Sequence, residues 1–95
     1  MNYNNTFNII DENDIIANIY SELSVQALSI ALRNHLTTKA SIKKYIDSFE
    51  ITNCKLDNTQ IELLDIIKKY IPEFTLRIEQ ILKFSIIMPQ KEISK

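Results

Sequence analysis

The chemistry open to this chain rests on one histidine, one cysteine and a loose acidic cluster near its start. His35 could act as a general base only beside a nucleophile and an orienting carboxylate, and no such triad is legible around it. A lone imidazole near a helix end reads as a surface group or as a charge partner for the helix C-terminus. Cys54 would need a positive neighbourhood to hold a reactive thiolate. Lys55 is adjacent, yet a single thiol in a predicted loop reads as incidental. One Cys and one His cannot complete a structural zinc site. Asp11, Asn13 and Asp14 begin like a calcium loop, but Ile15 and Ile16 stand where that loop needs an oxygen ligand and then glycine, so the cluster reads as helix capping. Asn4, Asn5 and Thr6 spell a glycosylation acceptor, which matters only in a secreted protein.

The 95 residues contain no glycine. Glycine reaches positive φ without strain and lets backbone approach a phosphate, so its absence excludes a Walker loop, a dinucleotide fingerprint and a nucleophile elbow. The expectation is a protein that is not an enzyme and holds no cofactor and no metal.

The elements that carry these residues are helical. Residues 1–10 read as an Asn-rich flexible arm with Tyr3, Phe7, Ile9 and Ile10 as anchors, residues 11–88 as a single helical domain, and residues 89–95 as a polar tail. Asp11 or Asn13 caps a first segment in which Ile16, Tyr20, Leu23, Ala27 and Ile30 recur at helical spacing, with Leu28, Leu32 and Leu36 beside them. Residues 12–37 form one helix ending about Thr37 or two, and Ser21 and Ser24, better at caps than in interiors, favour a break between them. Ile42, Tyr45, Ile46 and Phe49 predict a helix over 39–51 that stops at Asn53 in a left-handed cap. Thr59 with Glu62 reads as a capping box opening a helix with Ile61, Leu64, Ile67 and Ile71 inward and Leu63, Ile66 and Tyr70 flanking. Pro72 ends that helix and suits the first turn of the next, whose inner face is Phe74, Ile78, Ile81 and Leu82. The result is an all-α bundle of four to five short helices. A globule of this size buries only about 60–70% of the surface its unfolded chain exposes, a margin that a second subunit widens, and the bundle is read as a homodimer.

The net charge is −1, with no Lys or Arg before Arg33 and five basic residues from Arg33 to Lys55. That asymmetry is too weak for a nucleic-acid footprint, so nucleic acid is an unlikely partner. Residues 1–10 lack the pattern of a signal peptide, the single cysteine allows no disulfide within the chain, and no apolar run reaches the ~18–20 residues of a membrane span. The expected setting is the cytoplasm, away from membrane. At the far end, Phe84, Ile86, Ile87 and Met88 leave too few polar positions for a solvated helix terminus, so either the chain itself or a partner covers them. Lys43 and Lys44 lie on the polar side of their helix, as a solvated pair or as rim charges for an acidic partner.

Between residues 22 and 71 the segments ELSVQALSIALRNHL, SIKKYIDSFEIT and TQIELLDIIKKYI occur in that order. Ile42, Tyr45, Ile46, Ser48, Phe49 and Glu50 resemble the second-helix segment of the AriR/YmgB family of small bacterial biofilm and acid-resistance regulators, which are two-component connector proteins. Ile61, Leu64, Ile67 and Ile71 resemble the closing helix of that family. The resemblance implies a homodimer of helical hairpins acting by protein contact on stress or phosphorelay signalling, with possible DNA association. The function expected is thus a regulatory adaptor that binds a regulatory protein, with Phe84, Ile86, Ile87 and Met88 as the contact patch and Lys43 and Lys44 at its rim. A cytoplasmic immunity protein against a bacteriocin or toxin is the alternative, on size and architecture. A small DNA-binding regulator is the second alternative.

Overall fold

The computed structural model describes residues 11–50 and 55–87. Within them the chain forms five α-helices: α1 (Glu12–Glu22), α2 (Val25–Arg33), α3 (Lys39–Asp47), α4 (Asn58–Tyr70) and α5 (Thr75–Phe84). Pro72–Phe74 forms a 3-10 turn before α5. The all-α bundle expected from the periodicity is the architecture that forms. The N-terminal arm, Asn53, Cys54, Met88 and the polar tail lie outside the described residues.

Local signals explain the helix starts. The Asp11 carboxylate accepts from the Asn13 N–H at 3.0 Å, and Glu12 and Asp14 add negative charge to the first turn of α1. Ser24 caps α2 by accepting from the Ala27 N–H at 3.2 Å, so residues 12–37 are two helices, broken between Glu22 and Val25. Thr38 and Ser41 form a reciprocal capping box at α3. At α4 the cap is Asp57, whose box partner is Gln60; the expected pair of Thr59 and Glu62 is displaced by two residues, and Glu62 does other work.

Two helix ends depart from expectation. α2 stops at Arg33, short of Thr37, because the next residues close a Schellman motif. His35 N–H donates to the Leu32 carbonyl at 3.1 Å and Leu36 N–H to the Ala31 carbonyl at 3.0 Å, while Leu36 and Ala31 are both buried. This motif wants glycine, and His35 stands in its place with φ 54°. Its role at the helix end is therefore set by backbone geometry. His35→Gly removes the Cβ penalty of a left-handed residue and is expected to raise stability by about 0.5–1 kcal/mol in urea unfolding, net of the extra freedom of the unfolded chain; a loss of stability would contradict the motif.

α3 ends at Asp47, four residues before the expected Ile51. The cause is non-local: the Arg77 guanidinium, from α5, donates to the carbonyls of Asp47 at 3.4 Å and Phe49 at 2.9 Å, satisfying acceptors that a longer helix would use itself. Phe49 then packs edge-on against Tyr45, with ring centroids 5.1 Å apart.

α4 is the central helix, in contact with α1, α2, α5, the 3-10 turn and Lys55–Leu56. Leu63, Leu64 and Ile67 are fully buried against Ile19, Ala27, Ala31, Ile42, Ile46, Phe74, Ile78 and Ile81, with Ile61, Ile66 and Tyr70 half-buried beside them. No polar or charged residue is buried as a whole among the described residues, although single polar atoms of Tyr45, Arg77 and Ser85 are. A short parallel pairing, β1 (Lys55–Leu56) with β2 (Ile86–Ile87), closes the fold, Lys55 opposite Ile86 and Leu56 opposite Ile87. The segment after Phe84 is thus an extended strand and not the end of a helix, and its backbone is paired within the chain. Among the described residues no helix is long and apolar enough to cross a membrane.

Candidate protein-binding surfaces

Four large apolar side chains stay exposed among the described residues: Val25 (80%), Leu76 (71%), Leu32 (55%) and Phe84 (53%). They divide between two helices. Val25 and Leu32 sit seven residues apart on the outer side of α2, whose inner side buries Ala27 and Ala31. Leu76 and Phe84 sit eight residues apart on the exposed part of α5, Leu76 away from the buried Ile78 and Ile81 and Phe84 at the edge of their stripe. Each position is on one helical face because spacings of seven and eight residues bring side chains round by about two turns.

Each face borders a groove. That on α5 is lined by Leu76, Glu79, Gln80, Lys83 and Phe84, with the Lys83 ammonium 5.3 Å from the Phe84 ring centre. That on α2 is lined by Val25, Gln26, Ser29, Ile30 and Arg33, together with Asp57 and Thr59 from the start of α4.

Of the sequence-predicted contact residues, Phe84 lies on the α5 face. Ile86 and Ile87 form β2, and Met88 is outside the described residues. Lys43 and Lys44 are exposed, as expected, and line one groove together with Ala40, Asp47 and Ser48; Lys44 also borders a second, with Asn34, His35, Ser41 and Tyr45. The lysine pair and Phe84 therefore do not rim one groove. Lys43 is engaged with Asp47 at 2.7 Å, and this bond, then Arg77, holds the Asp47 carboxyl below its ordinary range.

The densest polar cluster joins α1 to α4. The Tyr70 hydroxyl donates to the Glu22 carboxylate, and Lys69 Nζ reaches the same two oxygens at 3.0 and 3.1 Å. The Tyr70 bond first, and then Lys69, hold the Glu22 carboxyl below its ordinary range; bonding to Glu22 raises both Tyr70 and Lys69. Glu22 and Lys69 are thus held charged and the Tyr70 phenol protonated, which suits a fixed joint and not a proton carrier. Elsewhere the Tyr20 hydroxyl donates to the Leu36 carbonyl at 2.9 Å, and burial raises its phenol.

Periodicity missed Leu76 and Val25 as surface features, and it set Leu32 beside Leu28 and Leu36 in an apolar stripe where the fold leaves it exposed. Their signal was present in the helical wheel, as apolar residues on the side opposite the buried stripe. No family model, curated protein or solved structure matches this chain.

Proposed function

We propose that the chain is a small, non-enzymatic regulatory adaptor of bacterial stress, biofilm or two-component signalling, working in the cytoplasm by protein contact. The observation that carries the reading is the division of its exposed large apolar residues between two separate helix faces, Val25 and Leu32 on α2 and Leu76 and Phe84 on α5. Apolar side chains clustered on an outer face mark interaction surfaces, and two such faces allow one small domain to hold two surfaces together. Arg33 and Asp57 beside the first face, and Glu79 and Lys83 beside the second, supply mixed charge for orientation and selectivity. The resemblance to the AriR/YmgB regulators over residues 22–71 supports the choice of pathway.

The test is affinity capture from the native host with crosslinking and mass spectrometry, comparing the wild type with Val25→Glu/Leu32→Glu and Leu76→Glu/Phe84→Glu proteins shown by circular dichroism to remain helical. The expected result is enrichment of a histidine kinase, response regulator or other regulatory factor that one of the two pairs of substitutions abolishes. Capture unchanged by both pairs would overturn the reading. A toxin in the captured fraction would move the assignment to immunity, and binding to DNA that weakens steeply with added salt would move it to a DNA-binding regulator.

A further inference from the structure

We infer that the outer face of α5 is a self-association surface, on which a second copy of this chain docks antiparallel about a two-fold axis. The inference rests on the reading of the exposed apolar faces as interfaces, and it assigns one of the two, leaving the α2 face to the other protein.

An isologous contact requires a patch that is its own complement. The α5 groove has that property. Leu76, Glu79, Gln80, Lys83 and Phe84 line it, and Gln80 is midway between Leu76 and Phe84, each about 6 Å away along the helix axis at 1.5 Å per residue. When two copies of α5 lie antiparallel with the axis at Gln80, Leu76 of each faces Phe84 of the other. Gln80 meets its equivalent, and an amide both donates and accepts. Glu79 lies one residue before the centre and Lys83 three after it, so the second copy's Lys83 falls about 3 Å from the level of Glu79, within reach of two long side chains. The charge order also selects the direction, because a parallel pairing sets Glu79 beside Glu79 and Lys83 beside Lys83. Glu79 carries a long ion pair to Lys68 at 3.7 Å within the chain, yet its side chain is 56% exposed, which leaves its carboxylate open to a second cation. The α2 face lacks this symmetry, with Arg33 at one end of the helix and no acidic residue of α2 to match it.

The experiment is sedimentation equilibrium of the full chain over a range of concentrations, with Glu79→Lys, Lys83→Glu and the two combined, each checked for helicity by circular dichroism. The wild type is expected to reach twice the monomer mass as concentration rises. Each single exchange sets like charges together at two symmetric positions and is expected to raise the dissociation constant about tenfold. The double exchange restores opposite charges and is expected to recover wild-type association to within about twofold. A wild type that stays monomeric, single exchanges without effect, or a double exchange that fails to recover would each overturn the inference. The Val25→Glu/Leu32→Glu protein separates the two claims: it should dimerise normally while losing the captured partner. A monomeric wild type that still captures its partner through Val25 and Leu32 would end the self-association inference and leave the adaptor reading standing.

Discussion

Replacing Leu63 by alanine is expected to lower stability by about 3 kcal/mol, while the same replacement at Ile61 is expected to cost only about 1 kcal/mol. Leu63 is fully buried, at 0% exposure, and Ile61 is half-buried. Alanine at Leu63 removes three carbons from the region where α4 meets the rest of the core, and helices tied to one another by ion pairs and caps can collapse only partly into the space. The lost transfer energy and the residual cavity then add. At Ile61 solvent already touches the side chain, so less transfer energy is lost and no closed cavity forms. A domain of this size has about 5–15 kcal/mol in total, so the first variant should unfold at clearly lower urea with an unchanged slope. Equal costs, or the reverse order, would contradict the packing of α4.

That order is opposite to the one a single helical stripe implies. The i, i+3 pattern placed Ile61 inward and Leu63 on the flank, because it describes a helix with one buried face. α4 packs against α1 and α2 as well as α5, so its buried arc is wider than one stripe, and Leu63 lies within it while Ile61, near the exposed start, does not. Features written in adjacent residues were legible: the Ser24 break, the Asp11 cap, the Pro72 stop and the helical identity of each segment. Features made by distant residues were not. The end of α3 depends on Arg77, thirty residues from the Asp47 carbonyl it binds, and the β1–β2 pairing joins two dipeptides with α4 and α5 between them. The surface was legible in the same uneven way. Phe84 stood out within an apolar run, whereas Leu76 and Val25 are single apolar residues among polar neighbours and look like ordinary surface exceptions, and Leu32 recurs with Leu28 and Leu36 as though it were part of the core, until a fold places them in pairs.

Glu62→Ala is expected to cost about 2 kcal/mol, and Thr59→Ala to stay within about 0.5 kcal/mol of the wild type. In sequence these two residues look like partners in one capping box. In the fold the Glu62 carboxylate crosses to the start of α2, where one oxygen accepts from the Ser24 N–H at 2.7 Å and the other from the Ser24 hydroxyl at 2.8 Å. The Ser24 Oγ in turn accepts from Ala27 N–H, so an anion and a cap act together at a helix N-terminus. Bonds to a charged acceptor in a partly buried site contribute about 1.5–3 kcal/mol, and alanine leaves the Ser24 donors to water that reaches them poorly. Glu62→Gln retains an acceptor but not the charge, and should lose about half as much. A cycle with Ser24→Ala isolates the pair: the two losses should fall well short of additive, since either change breaks the same contact. Additive losses, or a Thr59→Ala variant weaker than Glu62→Ala, would place the carboxylate elsewhere. Because this contact fixes where α2 leaves the α1 joint, it also sets the position of Val25 and Leu32 on the outer face. If the α2 face is the docking surface proposed above, a folded Glu62→Ala protein should therefore capture that partner more weakly.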